Sequence, residues 1–185
     1  MYYILNHDFK YPTPARVLIP KEWDKYDLFA GKKIRIEKPV PPIQLTFEQK
    51  VIPSDSIPSG DIFLFFSARL IEFVNRNIST KLFQSFPVEI RFTPPQTKTP
   101  DYSVINLVNL KDVINRDASD LILSKYGNIS LIRRLKIKEE KAEGCDLFRM
   151  EGFIGLVVCS QLFADKMAEG GFTGMKLVPV NKFIG

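Results

Sequence analysis

An apolar run that passes through a serine into helical periodicity, twice in one chain, is the pattern that most narrows what this sequence can fold into. At 62–66 the run reads as a short strand and Ser67 as an N-cap. Leu70, Ile71, Phe73 and Val74 then fall at helical spacing, with Arg69, Glu72, Asn75 and Arg76 on the other face. The same order returns with 153–159 as the strand and Ser160 as the cap. Leu162, Phe163, Met167 and Ala168 form the expected buried stripe, and Gly170 and Gly171 stand where a left-handed C-cap is wanted. Two such units are too few to make a repeat protein.

The rest of the chain reads mostly as strands. Period-two alternation predicts them at 2–5, at 34–36, at 43–47 and at 88–92, and further strands at 102–108, 129–137, 147–150 and 176–180. Pro12, Pro14 and Pro20 deny ladder donors and mark loop or edge structure, and Pro39, Pro41 and Pro42 end the 34–36 strand. Pro53 and Pro58 enclose a turn, and 94–100 is a loop. The polar stretch 110–119 is helical for a turn or two at most, with Asp117 and Ser119 shaping a turn through side-chain to backbone bonds. Many strands with two convincing short helices predict an α+β fold, an antiparallel or mixed sheet with two or three short helices packed on it. No Gly/Ser linker divides the chain. The expected organisation is a single domain over 1–185, with a proline-rich, strand-containing part over 1–60 and a core over 61–180.

Size and composition restrict the function classes. A chain of 185 residues buries about 70% of the surface its unfolded form exposes, so it builds a core without staples. The opening MYYILNHDFKYPTP has no basic region followed by an apolar run, so no signal peptide is predicted, and no apolar stretch is long enough to span a bilayer. Cys145 and Cys159, the only cysteines, are expected to stay reduced, with Cys159 as a buried small hydrophobe. These features predict a cytoplasmic protein.

Catalytic equipment is hard to find. His7 is the sole histidine and reads as a strand-end residue, no serine stands in a G-x-S-x-G elbow, and the cysteines are not spaced as a zinc site. The carboxylates are scattered without a spacing that nominates a pair, and the glycines follow neither the dinucleotide nor the P-loop pattern. No catalytic, cofactor-binding or metal-ligating residue is therefore nominated, and no cofactor is expected.

The one candidate surface is basic. Arg133, Arg134, Lys136 and Lys138 are interleaved with Leu135 and Ile137, and on a regular strand the charged set would face outward as a stripe. With a net charge of +5, such a stripe suits an acidic protein or a phosphate backbone. The plainer alternative, favoured at this point, is that the cations guard an edge strand against aggregation, with Glu139, Glu140 and Glu143 diluting the field. Nucleic acid is disfavoured because the phenylalanines lie in strands as if buried and no basic-flanked aromatic pair appears. Membrane docking is disfavoured because no helix carries a basic amphipathic stripe.

Five segments in order resemble a bacterial family of immunity proteins from polymorphic toxin systems, the eleventh in the numbered immunity series. They are FLFFSARLIEFV at 63–74, FPVEI at 86–90, YSVINLVNLKDVINRDAS at 102–119, LFRMEGFIGLVVCSQLFADKM at 147–167 and TGMKLVPV at 173–180. The resemblance implies a small cytosolic protein, encoded beside a toxin, that binds and neutralises it without cofactor or catalysis. It transfers no functional residues. The basic balance departs from the acidic character of immunity proteins that mask nucleases, which disfavours a nuclease toxin.

Overall fold

Both serines cap helices as predicted. In the computed structural model, which describes residues 1–185 except 25, 28, 29, 50, 52, 60–62, 96–99 and 185, Ser67 Oγ accepts a bond from the Leu70 N–H at 3.2 Å and Ser160 Oγ one from the Phe163 N–H at 3.1 Å. The strands are β1 (Tyr2–His7), β2 (Arg16–Leu18), β3 (Ile43–Phe47), β4 (Ser56–Ile57), β5 (Leu64–Ser67), β6 (Phe83–Phe92) and β7 (Tyr102–Leu107). They continue with β8 (Leu110–Lys111), β9 (Asp120–Leu123), β10 (Ile129–Arg134), β11 (Leu147–Met150), β12 (Phe153–Ser160) and β13 (Met175–Pro179). The helices are α1 (Ala68–Asn77) and α2 (Gln161–Glu169). This is an α+β fold with mixed and antiparallel sheets.

The chain forms two compact units, each holding one strand–serine–helix segment. One comprises His7–Val108 and Gly171–Met175. Its six-stranded sheet has the order β2-β3-β6-β7-β5-β4, parallel only where Ile43 to Phe47 pair with Val88 to Phe92. Leu45, Phe47, Phe65 and Val104 are fully or almost fully buried in its core. The other comprises Met1–Asn6, Asn109–Gly170 and Lys176–Gly185. Its five-stranded sheet runs β13-β1-β12-β11-β8, and β9 and β10 make a separate two-stranded ribbon. Ile4, Phe148, Met150, Val158, Ile132 and Leu135 fill that core. Arg149 is fully buried in β11, where its Nη1 donates to the Ile154 carbonyl at 2.7 Å; burial pulls its pKa down to about 10, so it is still a cation at neutral pH. Cys145 and Cys159 are free thiols, and burial pushes that of Cys159 up to about 12, which leaves it inert.

Several expectations are corrected. Residues 34–36 form no strand: the Ile34 N–H donates to Gln84 Oε1 at 2.8 Å and Gln84 Nε2 donates back to the Ile34 carbonyl at 2.9 Å, so an amide side chain replaces the ladder. Stretch 110–119 is not helical. Leu110 and Lys111 pair in parallel with Arg149 and Met150, and Ile114 bridges Ile137. Asn115 Oδ1, accepting from the Ala118 N–H at 3.3 Å, shapes the turn assigned to Asp117 and Ser119. Helix α2 buries Phe163, Ala164 and Met167, whereas Leu162 and Ala168 are exposed. The predicted 53–58 turn contains β4. Ile62 of the predicted 62–66 strand, and 96–99 of the predicted loop, lie outside the described residues.

The first of the two units is fastened around Asp55. Its carboxylate accepts from Arg69 Nε at 3.1 Å and Nη2 at 2.8 Å, from Ser67 Oγ at 2.9 Å, and from both the N–H and the hydroxyl of Thr173 at 3.0 and 3.1 Å. The Arg69 guanidinium also lies 4.5 Å from the centre of the Phe172 ring. Beside it Gly174 has φ +86°, and a Cβ there would stand 1.9 Å from the Ser56 carbonyl oxygen. Gly127 has φ +78° but open space around it. Gly127→Ala should therefore cost about 1–2 kcal/mol, the ordinary penalty of a left-handed backbone. Gly174→Ala, which adds a backbone collision, should cost about 4 kcal/mol or more. Urea midpoints of the two variants decide, and equal shifts would contradict the geometry.

Burial alone would raise the Asp55 pKa, but the bonds from Arg69, Thr173 and Ser67 outweigh it and hold the carboxyl below its ordinary value. A carboxylate depressed on folding stabilises the fold above its unfolded pKa, and that contribution is lost as pH falls through the folded value. The stability gap between wild type and Asp55→Asn should accordingly be full at pH 7 and shrink below about pH 4. A gap independent of pH, by urea titration at each pH, would rule out the charge as its source.

Candidate functional site

The ribbon of β9 and β10 carries Arg133 and Arg134 of the basic cluster, with Lys136 and Lys138 where the chain leaves it, and its construction explains how the arginines are displayed. Its tip is built by Ser124. The Ser124 N–H donates to the Asn128 carbonyl at 2.8 Å, the Gly127 N–H donates to the Ser124 carbonyl at 2.9 Å, and Ser124 Oγ accepts from the Tyr126 and Asn128 N–H groups at 3.3 and 3.2 Å. At the base, Ser119 Oγ bonds both the N–H and the carbonyl of Lys136, at 2.9 and 3.1 Å, where the chain leaves β10.

Two β-bulges set the display. Leu123 faces Ile129 and Ile122 faces Leu131, which leaves Ser130 as an extra residue; Leu121 faces Ile132 and Asp120 faces Arg134, which leaves Arg133 as another. The buried positions consequently recur every third residue, at Ile129, Ile132 and Leu135, instead of every second. An alternation anchored on Leu135 and Ile137 would turn Leu131 and Arg133 inward and Ile132 outward; the bulges reverse all three. Arg133 and Arg134 are consecutive yet both exposed, Lys136 is exposed, and Lys138 is half-buried. Among the described residues none of the four ion-pairs with a carboxylate. Glu139, which follows them, faces the terminal ammonium at 3.4 Å.

The ribbon also exposes apolar surface that was not read from the sequence. Ile122 and Leu131, paired across the ribbon, are 37% and 38% exposed, Leu123 is 51% and Tyr126 78% exposed. The missed signal is local: LIL and ISLI flank SKYGN, a five-residue loop with glycine that suits a hairpin.

A groove of about 540 Å³ marks the other unit, lined by Trp23, Ile36, Val40, Phe86 and Val88, with Glu89 and Asp101 as its acids. The Trp23 indole N–H donates to the Pro41 carbonyl at 2.9 Å, and its ring meets that of Phe86 at 5.0 Å. Glu89 is bound by Arg91 Nε at 2.8 Å and by Gln44 Nε2 at 3.0 Å, and Arg91 foremost holds its carboxyl below the usual range. An ion-paired, partly exposed carboxylate is poorly placed to act as a general acid near neutral pH. His7 ends β1, with its ring 5.9 Å from that of Phe9. No three His, Cys, Asp or Glu side chains gather as a metal site among the described residues, and none of their helices is long and apolar enough to cross a membrane.

The profile of the Immunity protein family (Imm11) matches residues 4–182. The chain belongs to that family. The match extends past the five resembling segments to nearly the whole chain. No curated protein matches it. In this Imm11 protein the INL and LFR segments become β7 and β11, and TGMKLVPV supplies Thr173, Gly174 and β13.

The three-residue inward period has a direct test. Ile132→Ala should cost about 2–4 kcal/mol by opening a cavity, whereas Leu131→Ala should cost under about 1 kcal/mol. Denaturant unfolding of the two variants checks this, and the opposite ranking would restore simple alternation.

Proposed function

We propose that this Imm11 protein neutralises a cognate bacterial toxin by binding it directly, as a cytoplasmic protein that performs no catalysis and needs no cofactor. The observation that carries the reading is the family match over residues 4–182, which makes toxin immunity the function class. Direct binding gains support from what the side chains offer. The described residues hold ion-paired carboxylates and buried or partly buried thiols, but also Arg133, Arg134 and Lys136, exposed cations that form no close ion pair among the described residues. An exposed cation that forms no ion pair within its own chain adds to the field that steers an oppositely charged partner. The toxin-facing residues are accordingly Arg133, Arg134, Lys136 and Lys138, with the exposed aliphatics beside them. A stable complex of this type buries about 1,200–2,000 Å² in total, with a few arginine and aromatic anchors dominating its energy.

Co-expression with the product of the adjacent toxin gene should abolish its lethality, and the two proteins should co-purify. Reversing Arg133, Arg134 and Lys136 together to Glu should slow association at least tenfold at low salt and flatten its salt dependence. Survival of the cell without any complex between the proteins would refute direct binding. Unchanged association by the triple variant would move the contact to another face.

A further inference from the structure

The two edges of the ribbon are not alike. β10 presents Arg133 and Arg134 and is twisted by two bulges, the devices that protect an edge strand from pairing with another chain. β9, Asp-Leu-Ile-Leu, has no lysine, arginine, proline or bulge of its own, and among the described residues it pairs only with β10. Its Ile122 and Leu123 are exposed. Apart from its short length and Asp120 this edge carries no guard, and such an edge is a template for strand addition, in which main-chain bonds give affinity and alternate side chains give specificity. The surroundings indicate the sign of the incoming strand. Asp120, which opens β9, faces Arg134 across the ribbon, but from Leu121 to Lys138 no further acid follows, while Lys125, Arg133, Arg134, Lys136 and Lys138 are all basic.

We infer that β9 accepts an extended segment of the toxin as a third strand of the ribbon. One face of that segment is aliphatic, against Ile122 and Leu131. It also carries carboxylates that the Arg133 and Arg134 side chains meet by extending over β9, since the added strand lies two strand spacings, about 10 Å, from β10. Two adjacent guanidiniums favour carboxylates, which they grip in bidentate fashion. The aliphatic face between them favours a protein over a nucleic acid, whose backbone offers nothing apolar to meet it. This inference rests on the toxin-binding reading above.

Hydrogen exchange on the full chain, free and bound to an inactivated product of the adjacent toxin gene, separates the two. Amides in Asp120–Leu123 should gain at least tenfold protection in the complex. Ile122→Lys, a guard placed on an exposed side chain, should keep the fold by circular dichroism and weaken the complex at least tenfold, while Leu162→Lys, at an exposed leucine of α2 outside the ribbon, keeps its affinity. A complex that forms with unchanged β9 exchange overturns strand addition and leaves toxin binding standing; no complex at all removes both. β9 protection that rises with the concentration of the chain alone would assign the edge to a second copy and overturn the inference, as would equal protection by duplex DNA.

Discussion

An aspartate that holds the capping serine at the strand–helix junction is the interaction on which both halves of this structure depend. In one unit the Ser67 N–H donates to the Asp55 carbonyl at 2.7 Å and Ser67 Oγ to its carboxylate at 2.9 Å. In the other, the Ser160 N–H and Oγ make the same bonds to Asp146 at 3.0 and 2.6 Å. The equivalence goes further. The residue after each aspartate pairs with the residue before each serine, Ser56 with Phe66 and Leu147 with Cys159, and the first helical N–H donates to the carbonyl of the residue just before a strand, Ala68 to Asp101 before β7 and Gln161 to Met1 before β1. A serine hydroxyl that both donates to a carboxylate and accepts from a helix N–H is fixed in one rotamer. Strand register and helix start are thereby set by one side chain. A cap alone is worth about 1 kcal/mol, but here it also orients everything that follows it.

That device decides how much was legible beforehand. Ser67 and Ser160 were readable because a cap is a local event, with residue type, preceding strand and following period all lying within a dozen residues. The aspartates were not, since Asp55 and Asp146 are brought in by strand pairing, which no short-range pattern encodes. The same division explains the errors. Ile34 and Ile36 alternate as a strand should, but a strand needs a neighbour, and the neighbour there is the side chain of Gln84. Leu110 and Lys111 look polar and irregular alone, yet a parallel partner in β11 makes them strand.

The ribbon is the sharpest instance. The composition of the basic cluster was plain, and its cations were expected on one outward face, but the expected two-residue period assumed an unbroken ladder. A bulge adds one residue to one strand only, and each addition flips every residue beyond it. Two flips within β10 turn Ile132 inward, leave Leu135 inward, and put Arg133 and Arg134 out together. Bulge positions follow from competition between turn geometry and core packing, as the Ser124 turn and the buried Ile129, Ile132 and Leu135 are satisfied together. Neither requirement is visible in the strand alone.

Net charge is therefore a weak guide to what such a surface attracts. The chain as a whole is only +5, with acids and bases nearly balanced. The ribbon and the residues that follow it are less balanced, because from Asp120 to Lys138 the single acid, Asp120, stands against five lysines and arginines. At physiological salt, charges separated by more than about 8 Å are largely screened. Successive strand residues rise about 3.4 Å, so the adjacent Arg133 and Arg134 act on an approaching partner as one group. Nuclease toxins present a basic cleft to their substrate, and this ribbon would repel it. Under the proposed reading the contacted toxin surface is acidic, and neutralisation follows from covering that surface.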